Sequence, residues 1–170
     1  MLCRSDAGGQ LSARGNAARD GATPPVSAIA DRYRLIFDEA LPELDAPGTT
    51  AYAVRDSQGA ARSLFARVLE PGTIPRKDML VPMRAHSDVQ LQRPIEWGVV
   101  GFPPQGRNAF AVVFERPAGG PLAPRGAGAF APIPVTDLIA RVLAPAALAL
   151  AQLGRRGIAH GAIRPDNLFA

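Results

Sequence analysis

Every fifth residue of this chain is a glycine or a proline, 17 of each in 170. Proline fixes φ and removes a backbone donor, glycine loosens the chain, and either one interrupts a regular element. Long regular bundles are therefore not expected, and helices and strands should be short and separated by turns. The apolar fraction of 47% is still ample to fill a core at this length, so the expectation is an ordinary globular domain.

The formal charge is +4 and the sequence pI about 10.2, with Lys77 the only lysine. A basic balance of this kind raises nucleic-acid binding as a first thought. The arginines are scattered, however, and the densest pair, Arg155 and Arg156, lies in a turn-like LGRRG without interleaved aromatics. The reading is accordingly no nucleic acid. A lone cysteine, Cys3, has no partner for an internal disulfide, which suits a reducing compartment. Residues 1–21 hold no apolar stretch of signal-peptide length, and the longest apolar run, 138–153, contains Arg141, Pro145 and Gln152 and is too short to span a bilayer. The expectation is a cytoplasmic protein without a membrane partner.

Residues 1–28 are rich in Gly, Ala, Ser, Asp and Arg without periodicity and read as a disordered leader, with the fold beginning near Asp31. RYRLIF, TTAYAVRD and ARSLFARVLE are strand-like runs separated by Pro/Gly and DSQG turn signals. IPRKDMLVPMRAHSDVQLQR predicts at best a short or broken helix, because Pro75 suits a helix start and Pro82 interrupts it. PIEWGVVGF and NAFAVVFER are two further strands joined by PPQGR, a hairpin linker. Residues 118–134 are a Gly/Pro/Ala linker; their glycines do not run from a strand into a helix with a following Lys-Ser/Thr, so no phosphate-cradling loop is expected there. After it, Leu138, Ile139, Val142, Leu143, Ala146, Leu150 and Leu153 recur at helical spacing. Thr136 is the expected cap, Gly154 the expected stop and Pro145 the expected kink of a buried helix.

Residues 150–169, LAQLGRRGIAHGAIRPDNLF, resemble the end of the protein-kinase helix running into the catalytic loop, whose pattern is H-R-D-L-K-P-x-N followed by two apolar residues. His160, Pro165 and Asn167 keep that pattern's identity and spacing, Ile163 and Arg164 are near equivalents, and Gly161 and Ala162 depart. The resemblance implies an α+β fold: a kinase-like small lobe of about five antiparallel strands with a short helix over residues 29–117, a hinge linker over 118–134, and the first long helix and catalytic-loop segment of a large lobe, incomplete, over 135–170.

It also implies roles residue by residue. Ala162 stands where the family's loop aspartate accepts the proton of the attacking hydroxyl, and a methyl group accepts none. Arg164 matches the loop lysine, and Asn167 the residue that helps hold a metal ion, or else a turn asparagine bonded to nearby backbone. His160 reads as a packed, hydrogen-bonded residue. In the small lobe Arg67 aligns with the lysine of V-A-I-K, no glutamate lies between Glu70 and Glu96 to partner it, and Asp78 and Asp88 are the nearest stand-ins. The expected G-x-G-x-x-G loop is missing, only Gly48 standing between the first two of these strands. Phe114 takes the gatekeeper place and Glu115 follows it. Pro117 falls where the family uses a backbone N–H to bond adenine, and proline has none.

Together these departures imply a catalytically inactive kinase-like module, a pseudokinase, that binds a protein partner and requires no cofactor. One alternative is a divergent ATP- and magnesium-dependent phosphotransferase, since small-molecule kinases related to aminoglycoside phosphotransferases carry H-G-D where His160 and Gly161 stand. The other is an unrelated α+β binding domain.

Overall fold

The computed structural model describes residues 27–59, 61–86, 91–122, 132–159, 163 and 168–169. Its centre is a six-stranded antiparallel sheet: β1 (Ala28–Ile29), β2 (Tyr33–Ala40), β3 (Thr49–Asp56), β4 (Leu64–Leu69), β5 (Pro94–Phe102) and β6 (Arg107–Glu115), in the order β1-β2-β3-β4-β6-β5. One short helix, α1 (Lys77–Arg84), joins β4 to β5. The protein is thus mixed α+β.

The strands form where side chains alternate. In β4, Leu64, Ala66 and Val68 enter one apolar cluster, whereas Phe65 and Arg67 point to the opposite face, as the two-residue period of a strand dictates. The first face gathers Leu35, Tyr52, Val54, Val100, Phe102, Ala111 and Val113. Phe37, Tyr52 and Phe102 meet there edge to face at centroid distances of 5.3, 5.4 and 5.8 Å, the arrangement favoured by aromatic quadrupoles. Burial pushes the Tyr52 phenol above its ordinary range, with the Asp45 charge adding to the effect.

β1 straddles the end of the span read as a leader, so the ordered fold starts a few residues before Asp31. The reason is Ile29, only 2% exposed, which packs β1 against β5 and curls the sheet back on itself. Gly98 makes that approach possible: a Cβ there would come within 3.3 Å of Ile29 Cγ2. The corner after β1 places Ala30 and Asp31 in the left-handed region, at φ 51° and 53°. It is clamped by Arg32, whose Nε and Nη2 donate to the two Asp56 carboxylate oxygens at 2.8 and 2.7 Å. The paired guanidinium holds Asp56 at about 2, well below its ordinary 3.8.

The C-terminal helix, Val135–Arg155, differs from expectation in four respects. It begins at Val135 after Pro134, so Thr136 lies inside it and caps nothing. It runs past Gly154 to Arg155 and is closed by Gly157, whose φ of 68° lets the amides of Gly157 and Ile158 return to the carbonyls of Gly154 and Leu153. Pro145 is absorbed by a widened turn over Leu138–Leu143, where the Ala144 amide bonds the Ile139 carbonyl five residues back. Finally, the helix is mostly exposed, with only Ala149 and Leu153 buried. At 21 residues it is long and apolar enough, by length and composition, to cross a membrane, which the shorter run 138–153 was not.

Candidate functional site

The face of the sheet opposite the main core carries Phe65 and Arg67, and this face becomes the wall of a cleft. Phe65, fully buried, stacks on Phe114 of β6 with ring centroids 5.5 Å apart. Leu44 and Ala51 complete a small apolar cluster with them, and Leu41 and Phe169 pack on its edge. Leu44 arrives there because the β2–β3 connection folds into a 3-10 turn over Pro42–Leu44, opened by the proline. Asp45 then accepts the Ala51 amide at 2.6 Å, and Gly48, at φ 71°, closes the loop where any Cβ would collide with Thr73 Oγ1. Phe169 is brought in by a bridge to Pro121 and by the Leu122 amide donating to the Leu168 carbonyl at 2.7 Å.

Arg67 lies 5.7 Å from the ring centroids of both Phe65 and Phe114 and donates from Nε to the Leu44 carbonyl at 3.0 Å. The contact joins β4 to the β2–β3 loop and holds Leu44 inward. Beyond this plug the cleft opens to about 1210 Å³, between the sheet and α1 on one side and the C-terminal helix on the other. Among the described residues Arg62, Arg67, Arg84, Arg93, Arg116 and Arg141 line it, with the carboxylates Asp45 and Glu115.

Three residues singled out in the sequence come together here: Arg67, Glu115 and Pro117 all line the cleft. The Glu115 carbonyl accepts Gln92 Nε2 at 3.0 Å, and Pro117 contributes no donor, so this stretch of backbone is poorly equipped to pair with a planar base. Ile163, Leu168 and Phe169 also reach the lining. His160, Ala162, Arg164 and Asn167, like Asp88, lie outside the described residues. Among the described residues no three His, Cys, Asp or Glu side chains gather as a metal site.

Leu44, Gln92 and His86 were not legible as site residues. His86, fully buried, receives Arg156 Nη1 on its Nδ1 and ties the end of α1 to the turn after the C-terminal helix; its Nε2 has no partner among the described residues. Arg93 Nη1 donates to the His86 carbonyl at 3.2 Å, so the same residue braces the floor of the cleft. Nothing in local sequence marks a histidine bonded to a residue 70 positions away.

No family model matches this chain, and no curated protein or solved structure matches it either.

Proposed function

We propose that this chain is a catalytically inactive protein-kinase-like module that acts by binding a partner protein. The observation that carries the reading is the Arg67–Leu44 contact: the position aligned with the phosphate-gripping lysine is tied to a backbone carbonyl of the chain itself. The Leu44 side chain is held in the apolar cluster with Ala51 and Phe65, against which Phe114 packs. A nucleotide seeking Arg67 would have to compete with the Leu44 carbonyl for its Nε, and would meet Pro117 where a donor is wanted.

Architecture supports the same reading. Five antiparallel strands, β2 to β6, with a short helix inserted after the third of them and a long apolar helix leading toward His160, are what the resemblance expects. Ala162 removes the general base from the chemistry whatever the loop's geometry.

Thermal denaturation with and without ATP and magnesium tests the proposal. No shift in Tm is expected at millimolar nucleotide, because a ligand stabilises only the state it binds. A saturable rise would overturn the proposal in favour of a divergent phosphotransferase. Ala162→Asp is expected to leave phosphoryl transfer undetectable, since Arg67 and the missing glycine loop remain; robust transfer from that single change would likewise refute it.

A further inference from the structure

Resting on the reading of the chain as a protein-binding module, we infer that the cleft takes an extended acidic peptide segment of the partner, one that carries aliphatic side chains between its carboxylates.

The first ground is charge. Among the described residues six arginines line the cleft against two carboxylates, and one of these, Asp45, is engaged with the Ala51 amide. Arg116 is paired with Glu43 at 2.8 Å and Arg84 with Glu96 at 3.5 Å, whereas Arg62 and Arg141 are exposed and make no hydrogen bond or ion pair among the described residues. These two sit on different walls, Arg62 just before β4 and Arg141 on the C-terminal helix. A ligand spanning the opening meets a cation on each side, and the paired charges draw an anionic segment across it.

The second ground is shape and lining. A volume of about 1210 Å³ exceeds the roughly 300–1,000 Å³ typical of small-molecule pockets and suits a stretch of polypeptide. Between the arginines the walls carry aliphatic Ile95, Val142 and Leu150, while Phe114 and Phe169, the aromatics of the lining among the described residues, pack against the Leu44 cluster. Single-stranded nucleic acid is gripped by arginine together with open aromatic faces on which bases stack. Arginine with aliphatic surface instead matches a peptide of mixed acidic and aliphatic side chains.

The test is fluorescence anisotropy on the full chain with a labelled short peptide of alternating Glu and Leu, its Gln and Leu counterpart, and oligouridine. The acidic peptide should bind, weaken as salt is raised, and bind at least about tenfold more tightly than the Gln version, as expected for charge-assisted bonds. Arg62→Ala with Arg141→Ala should weaken it by about tenfold. Arg34→Ala with Arg55→Ala, two exposed arginines paired across β2 and β3 outside the lining, should not. Equal binding of the Gln peptide, tighter binding of oligouridine, no peptide binding, or insensitivity to the Arg62 and Arg141 changes would each overturn the inference. Circular dichroism melts of both double variants separate lost binding from lost fold. The outcome is independent of the nucleotide experiment: a Tm rise with ATP would remove the inactive-module reading even with the peptide bound, and a silent peptide would remove only the acidic ligand.

Discussion

The sheet and the C-terminal helix have similar apolar content, yet they sit differently in the molecule. In the sheet, Phe65, Ala66, Ala111 and Val113 are fully buried, and successive strands share one continuous core. Along the helix, Val135 is 70% exposed and Ile139, Leu143 and Leu148 just over half exposed, with only Ala149 and Leu153 buried. The difference teaches that the sheet is held by its own packing while the helix is joined to it at few points, chiefly Leu153 and the Arg156–His86 bond. The cleft lies between these two unequally buried walls.

Four changes would break or sharpen that comparison. The largest effect should come from Phe65→Ala, which empties the centre of the Leu44 cluster and should cost about 3–5 kcal/mol in urea unfolding. A cost similar to that of an exposed helix residue would dissolve the distinction. Leu153→Ala should follow, at about 3 kcal/mol, because this residue is 1% exposed and anchors the helix. A cost near zero would show that the helix contributes nothing to the cooperative unit.

Asp56→Asn should lower Tm at neutral pH by removing the bidentate partner of Arg32 at the closing corner of the sheet. The pH dependence follows from the sign. A carboxylate held at about 2 rather than 3.8 contributes stability in full above 3.8, and loses it as pH falls through about 2. Wild-type and variant melting curves should therefore converge in strong acid; a constant gap down to that range would mean the ion pair is not the cause. Smallest of all, Leu148→Ala on the exposed helix surface should stay within about 0.5 kcal/mol by the same unfolding assay.

Much of the sheet was legible because strand side chains obey a local rule. The strand-like runs SLFARVL and NAFAVVFE form β4 and β6, and PPQGR predicts the β5–β6 hairpin that forms around Pro103–Gln105. The broken helix expected around Pro82 is the eight-residue α1, which holds that proline near its end. The helix termini were harder to read, because Thr136 and Gly154 are favourable at caps and also tolerated inside a helix. Only the left-handed φ at Gly157 distinguishes the true stop. Of the site, Arg67, Glu115 and Pro117 were identified by motif, and the partners that define their use were not.

By itself the sequence determined the element types, most strand positions, the excess of arginine, and the methyl side chain at position 162. Tertiary structure alone decided that Ile29 closes the sheet, that Leu44 is buried beside Phe65 with its carbonyl bonded to Arg67, and that the apolar helix stands mostly open to solvent. The physical reason is range. Periodicity and turn chemistry act over a few neighbouring residues, whereas the Arg67 to Leu44 bond, the Arg156 to His86 bond and burial itself depend on segments 23 and 70 residues apart meeting in space.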